Sequence, residues 1–307
     1  MWIRDPGKVV NGLDLLGTHE ICLYLLRGKN AMIIGGGMSW IAPSLEAQLS
    51  VMDFEPDRLM YLVISHSHAD HCGAVPYLKR KFPNMQVLAS AHFERVLSKQ
   101  KVVDSIATSN RQMIDKLGIQ SEYESLNLKF DGIKVDQVVA EEDVIDLGDG
   151  IEAHFIEVPG HTKCSIAVYV PKLNALFPTD AAPFPLGDMN RLAHPSPQYD
   201  FSMYRESLEK LARYKAEICA FEHFGVFTGS QARKGLREGL HQTEEFRNHI
   251  VELYQQTGDI DEVAQQIASE RTDRDILHFI DSDIWVTVSK IEIRNVLRYS
   301  KLLPDND

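Results

Sequence analysis

The sequence SHSHADH occupies residues 65–71 and directly follows the apolar run LMYLVI at residues 59–64. A continuous apolar run of this length is typical of a buried strand. In the extended segment that leaves such a strand, side chains at positions i and i+2 point the same way, so His66 and His68 can bind one metal ion from one side. Asp70 and His71 then face a neighbouring position. Because imidazole suits zinc and iron while carboxylate suits harder ions, the segment predicts a metal centre that activates water.

Further ligand-type side chains also follow predicted strands. They are His161 after residues 151–158, Asp180 after residues 175–177 and His223 after residues 218–221. Functional loops of α/β sheets lie at the carboxyl ends of strands, which argues against chance grouping in a chain with 12 histidines. His154 lies inside a strand and is predicted to be a packed or surface residue.

The composition bounds the kind of protein and its partners. A chain of 307 residues with 44% hydrophobic content predicts one catalytic domain with a sizeable core, followed by a helical tail. A formal net charge of -12 argues against binding to phosphate backbones, so nucleic acid is not expected as a partner. Four widely spaced cysteines without a CxxC pair, and no basic segment leading into an apolar core near residue 1, predict a reducing, cytoplasmic setting. No apolar stretch reaches the ~20 residues of a membrane span.

The remaining patterns predict alternating strands and helices, which require covered sheets. Residues 91–117 have helical spacing, and they are predicted to be either a cover beside the site or a substrate lid. The other predicted elements are a hairpin at 21–26 and 31–34, helices at 44–51 and 73–82, strands at 85–89 and 165–170, strands with an acidic turn within 132–149, and helices at 231–256, 259–269 and 284–303.

The ordered set of ligand-type residues resembles that of the metallo-β-lactamase-fold hydrolases in their dinuclear form, over roughly residues 20 to 230. Helices after the last histidine make the layout most similar to glyoxalase II and the PqsE-type thioesterases. The resemblance implies an α/β fold, a four-layer αββα sandwich, with a catalytic domain at residues 1–228. It also implies a helical C-terminal extension at residues 229–307 that covers the site.

The resemblance further implies which residues bind two divalent transition metal ions, zinc or iron, with manganese also compatible. A hydroxide that bridges the two ions would attack a thioester or related acyl substrate, and Asp70 would in addition orient it as a catalytic residue. The implied ligands are His66, His68 and His161 for one ion, Asp70, His71 and His223 for the other, and Asp180 for both.

Two departures from the family pattern concern the support of these ligands. The family usually ends its second strand with an aspartate that supports a ligand histidine, where this chain has Gly35. The family also commonly has a glycine on each side of the last histidine, where this chain has Glu222 and Phe224. Glu222 is therefore a candidate for the missing carboxylate, and a solvent-facing role is the alternative. Such a partner typically contributes about 10 to 100-fold to metal affinity or activity.

Selectivity is expected to come from residues 91–117, the loop at 181–199 and the C-terminal helices. Within the loop, Arg191 and His194 are candidate substrate-binding residues, and an ordinary surface arginine is the alternative for Arg191. The helices would shape an acyl pocket, form a plain structural cap or bind a regulatory partner.

The expected partner is a small-molecule acyl substrate, with neither nucleic acid nor membrane, and a homodimer is left open. The other functions that the sequence leaves open are a phosphodiesterase of small phosphodiesters and a regulatory protein with a retained metal site. An oxidoreductase is disfavoured, because nothing beyond residue 230 resembles a flavin or iron-sulfur module.

Overall fold

Two seven-stranded sheets form the centre of the computed structural model, which describes residues 1–186, 188–272, 277 and 279–304. The first sheet has the order β2-β3-β4-β5-β6-β7-β8. Its β4 and β5 form the predicted antiparallel hairpin, and β5, β6 and β7 are parallel. The strands of this sheet are β2 (Gly7–Val10), β3 (Leu13–Gly17), β4 (Cys22–Arg27), β5 (Ala31–Ile34), β6 (Leu59–Val63), β7 (Gln86–Ala89) and β8 (Gln137–Val138).

The second sheet has the order β1-β16-β15-β12-β11-β10-β9, and its first strand pairs with a strand more than 200 residues away. A separate hairpin, β13 with β14, precedes the last third of the chain. The strands are β1 (Trp2–Ile3), β9 (Val144–Asp146), β10 (Glu152–Glu157), β11 (Ile166–Val170), β12 (Ala175–Phe177), β13 (Pro185–Leu186), β14 (Asp188–Leu192), β15 (Ile218–Ala220) and β16 (Val226–Thr228).

Helices cover the outer face of each sheet. α1, α3, α4 and α5 lie on the first sheet, while α7 and α8 lie on the second. The helices are α1 (Ala42–Val51), α2 (Ala69–Cys72), α3 (Val75–Lys81), α4 (Ala91–Leu97), α5 (Gln100–Leu117), α6 (Gln120–Ser125), α7 (Phe201–Ala212), α8 (Ser230–Thr257), α9 (Ile260–Thr272) and α10 (Ser282–Tyr299).

The layer order follows from where the apolar side chains are buried. One cluster lies between the sheets and includes Tyr24 and Leu88 from the first sheet with Phe155 and Phe177 from the second. Separate clusters join each sheet to its own helices. Both faces of the sheets are therefore covered, and the predicted four-layer αββα sandwich is confirmed.

The C-terminal helices pack on one another and on α7 through a cluster that includes Phe201, Phe246, Ile267 and Ile293. Asp259 caps the start of α9, since its Oδ1 accepts a hydrogen bond of 2.7 Å from the Asp261 amide. The helical extension is thus confirmed, while its separation from the sandwich as a domain at residue 229 stays a prediction. Across the described ranges, no helix combines the length and apolarity needed to cross a membrane.

Candidate metal centre

The loop after β6 brings four ligand-type side chains to one edge of the first sheet. His66 is fully buried, and its Nε2 lies 3.1 Å from Nδ1 of His68. The backbone then turns into α2 with His68 at the N-cap, which places Asp70 and His71 in the single turn that follows. Asp70 Oδ2 lies 3.4 Å from His71 Nε2. His66 and His68 therefore face one position, and Asp70 and His71 face a neighbouring one, as the sequence predicts.

Exits from three strands of the second sheet complete the centre. His161 follows β10 through Gly160, which has φ +135° and lies so close to α7 that a Cβ would be 2.2 Å from the Tyr204 backbone nitrogen. This close approach brings His161 Nε2 to 3.0 Å from His68 Nδ1. After β15, His223 Nε2 lies 3.1 Å from His71 Nε2.

Asp180, after β12, lies between the two groups of histidines. Its Oδ2 is 3.2 Å from His71 Nε2 and 3.5 Å from His161 Nε2. Its Oδ1 is 3.8 Å from His223 Nε2. One carboxylate thus faces ligand atoms of both groups.

The donor set fits metal ions by distance as well as by chemistry. The groups whose potential ligand atoms lie within 4.8 Å of one another are His66, His68 and His161; His66, His71 and Asp180; and Asp70, His71 and His223. Nitrogen ligands at ~2.05 Å around a tetrahedral ion are about 3.3 Å apart. The nitrogen separations of 3.0 to 3.1 Å within the histidine groups are close to that value.

The outer nitrogens of three histidines have partners that direct their inner nitrogens towards the centre. His161 Nδ1 donates to the Ser196 carbonyl at 2.7 Å, and His223 Nδ1 donates to the Glu20 carbonyl at 2.6 Å. His66 Nδ1 lies 3.2 Å from Thr179 Oγ1. Because a carbonyl oxygen can only accept, the first two histidines carry their proton on Nδ1 and leave Nε2 free to bind a metal ion.

His71 has a carboxylate as its outer partner, and that carboxylate belongs to Glu222. Glu222 Oε2 forms an ion-pair contact of 3.1 Å with His71 Nδ1. Both atoms are buried, and among the described residues neither has a partner with hydrogen-bond geometry. Gly35 has φ +95°, and a Cβ on it would lie 2.7 Å from Glu222 Oε1. Glu222 therefore fills the space that a side chain at position 35 would need. Since Glu222 is only 4% exposed, its solvent-facing alternative is wrong.

The electrostatics keep the site ready for cations. Burial and the neighbouring His161 lower the pKa of His68 to about 3. Burial opposes ionisation of Asp180, but His71 and His223 hold its pKa well below the usual range. Burial likewise opposes the charge on His71, yet Asp70 and the other nearby carboxylates raise its pKa well above normal. A metal ion that binds His71 must therefore displace a proton.

Cys72 adjoins the ligands without taking a ligand position. Its Sγ contacts the His68 carbonyl oxygen at 3.2 Å, and the side chain is fully buried. Burial raises the pKa of the Cys72 thiol, so it is no thiolate nucleophile at neutral pH.

A pocket of about 470 Å³ opens onto the centre and has mainly apolar walls. All three segments expected to set selectivity contribute to it. The Phe184 ring lies 4.9 Å from the His223 ring, and the Phe279 ring lies 6.4 Å from it. Lining residues include Met113 from α5, Phe184 and His194 from 181–199, and Phe279 and Trp285 near α10.

The two predicted substrate-binding residues differ in what can be said of them. His194 lines the pocket, and its ring lies 5.5 Å from the ring of Phe246. Arg191 belongs to β14, but its side chain lies outside the described residues. Sequence reasoning missed the outer partners Thr179, Ser196 and Glu20, because two of them act through backbone carbonyls that carry no side-chain signature.

Comparison with known proteins places these features in context. The sequence model of the Metallo-beta-lactamase superfamily matches residues 22–223. The metallo-beta-lactamase fold-containing protein ST1585 of Sulfurisphaera tokodaii is 29% identical over 198 residues, which are 64% of this chain and 72% of that protein.

Solved structures show the same fold. The archaeal superfamily protein ST1585 from Sulfolobus tokodaii superposes with a TM-score of 0.57 at 22% identity, covering 94% of this chain and 98% of that one. The family protein TTHA1429 from Thermus thermophilus superposes with a TM-score of 0.69 at 15% identity, covering 98% and 97%.

Proposed function

Because the chain belongs to the metallo-beta-lactamase superfamily, whose members are mostly metal-dependent hydrolases, we propose that it hydrolyses a small acyl substrate with two divalent transition metal ions. One observation carries the proposal: Asp180 lies between two groups of ligand-type side chains that come from both sheets. A single carboxylate in this position suits a pair of ions better than one ion.

Each ligand has a role in this proposal. His66, His68 and His161 would hold one ion, Asp70, His71 and His223 the other, and Asp180 both. When bound, such ions lower the pKa of water towards neutrality and polarise a carbonyl oxygen. Asp70 lines the pocket, and its pKa is held low by His71 despite burial, so it stays ionised and can accept a hydrogen bond from the attacking water.

The pocket favours an uncharged acyl group, with a thioester as the first candidate. Its two described cationic residues both have carboxylate partners: Lys116 Nζ lies 3.0 Å from Asp281 Oδ1, and Arg271 Nη2 lies 2.6 Å from Glu292 Oε2. Positive charge in the described wall is therefore compensated, and a charged phosphodiester gains little from it. The Glu222 carboxylate beside His71 favours an enzyme over a regulatory protein with a retained metal site, because the ligand support that Gly35 lacks is present.

Metal analysis with a substrate panel tests the proposal. We expect about two ions per chain after loading with zinc, iron or manganese, and hydrolysis of acyl-CoA, acyl-glutathione or lactone compounds that a chelator abolishes. Turnover of phosphodiesters alone would identify a phosphodiesterase instead. A metal-replete protein that turns over none of these compounds would contradict the enzymatic proposal.

Replacing Phe279 by alanine should raise the KM for acyl substrates by roughly tenfold while kcat changes little. Phe279 lines the pocket and is partly buried, so its truncation removes apolar contact worth about 1 to 2 kcal/mol. Steady-state kinetics on the best substrate of the panel would measure the effect. Ile291→Ala is the matched control, because Ile291 is 40% exposed on α10 and is not among the lining residues. Equal KM values for both variants would show that this wall does not contact the acyl group.

A further inference from the structure

The loop at residues 195–198 connects the metal centre to the C-terminal helices. On one side, the Ser196 carbonyl accepts the hydrogen bond from His161. On the other side, Ser196 Oγ donates to Glu292 Oε1 of α10 at 2.6 Å. One residue is thus bonded both to a candidate metal ligand and to the helical extension.

The residues on either side of Ser196 are bonded to side chains of α9 and α10. Arg271 Nη2 of α9 lies 3.4 Å from the Pro195 carbonyl, and Asn295 Nδ2 of α10 donates to the Pro197 carbonyl at 3.0 Å. Three successive carbonyl or hydroxyl groups are therefore fixed by side chains that lie about 75 to 100 residues further along the chain. This arrangement fixes the direction of the Ser196 carbonyl, and with it the ring of His161.

The ion pair behind this contact is buried. Arg271 Nη2 and Glu292 Oε2 are 2.6 Å apart, and their side chains are 2% and 0% exposed. A buried ion pair is weak evidence for stability, because desolvation offsets much of the attraction. The other carboxylate oxygen, Glu292 Oε1, accepts the hydrogen bond from Ser196 Oγ. The ion pair therefore orients the loop.

We propose that Glu292 is a positioning residue for the metal ligand His161, acting through Ser196, with Arg271 holding the Glu292 carboxylate in place. The proposal rests on the metal-binding part of the proposed function. It makes the C-terminal helices part of the metal centre rather than only a cover over the pocket. Misplacement of a reacting group by about 1 Å can cost 10²-fold, so a small shift of this loop is sufficient to matter.

Cobalt(II) provides a probe, because its visible absorption reports ligand geometry directly. Ser196→Ala removes the hydroxyl link and keeps the carbonyl that His161 needs. We expect one of the two cobalt equivalents to bind about tenfold more weakly in competition with a chelator, with a changed spectrum. Ser196→Thr keeps a hydroxyl donor and should restore binding. Asp261→Asn is the matched control. It removes the charge of Asp261 of α9, whose Oδ1 forms an exposed ion pair of 3.0 Å with Lys290 of α10, and this pair does not contact the loop.

A double variant separates positioning from folding. Glu292→Gln leaves Arg271 buried without its partner and can unfold the protein, whereas Arg271→Met with Glu292→Leu replaces both charges by apolar groups. We expect this double variant to fold and to show the same loss at one cobalt site.

Wild-type cobalt affinity and spectrum in both Ser196→Ala and the double variant would overturn the inference. A wild-type protein that binds no cobalt would overturn it together with the proposed metal site. Weakened cobalt binding in the variants, with no hydrolysis of the substrate panel by wild type, would support the inference and contradict only the proposed catalysis.

Discussion

Replacing His68 by alanine should remove one of two metal ions per chain and reduce hydrolysis by about 10³-fold or more. His68 Nδ1 lies 3.1 Å from His66 Nε2 and 3.0 Å from His161 Nε2, so it is close to both other histidines that would hold the same ion. Lewis-acid stabilisation by a metal ion is worth several kcal/mol, which corresponds to a rate loss of this size. Elemental analysis, with kcat/KM on whichever compound of the substrate panel is hydrolysed best, would measure the two effects together.

His154→Ala provides the control for His68→Ala. His154 lies inside β10 and is about one-third exposed, and its Nε2 lies 3.0 Å from Glu152 Oε2, so it is a histidine of the second sheet outside the centre. It should keep wild-type metal content and activity. If His68→Ala still bound two ions per chain, or if His154→Ala lost an ion, the assignment of ligands would be wrong.

Replacing Glu222 by alanine should weaken metal binding or activity by about 10 to 100-fold. Glu222 Oε2 lies 3.1 Å from His71 Nδ1, and both atoms are buried. Without it, the His71 ring loses the partner that fixes its orientation, and the nitrogen stays desolvated. Chelator competition would measure the loss of metal affinity, and kcat of the metal-loaded protein would measure the loss of activity.

Glu222→Gln distinguishes hydrogen bonding from charge. The amide oxygen of glutamine can still accept from Nδ1, so a mild effect would show that geometry matters most. An effect equal to that of alanine would show that the negative charge is needed to make His71 a stronger ligand. Wild-type metal affinity in Glu222→Ala would mean that Glu222 does not take the place of the aspartate that the family has where this chain has Gly35.

The positions of the ligand-type side chains at the strand exits could be predicted from the sequence because their signals are local. An apolar run marks each buried strand, and a polar residue just past its end lies at the edge of a sheet whatever the rest of the chain does. His66 and His161 could be predicted to meet only because the family resemblance supplied the pairing of strand exits. The layer order was predictable for the same reason.

The support of the ligands could not be predicted in the same way. Glu222 and His71 are 151 positions apart, so the sequence offered a candidate but not a contact. Ser196 acts through its carbonyl, which every residue type possesses, and nothing in its side chain identifies it. The ion pair of Arg271 with Glu292 joins two amphipathic helices whose charged residues look like ordinary solvent-facing positions until packing is known.

The origin of the ligands on both sheets has a mechanical consequence. His66, His68, Asp70 and His71 follow a strand of the first sheet, whereas His161, Asp180 and His223 follow strands of the second. Bound ions would act as cross-links between the two halves of the sandwich, at the edge where apolar contact between them ends. Unfolding would have to release these ions, so the free energy of unfolding would increase with the free metal concentration. For one site, the increase is about 2.7 kcal/mol at a metal concentration of 100 times Kd. Thermal stability would then depend on metal supply as directly as activity does.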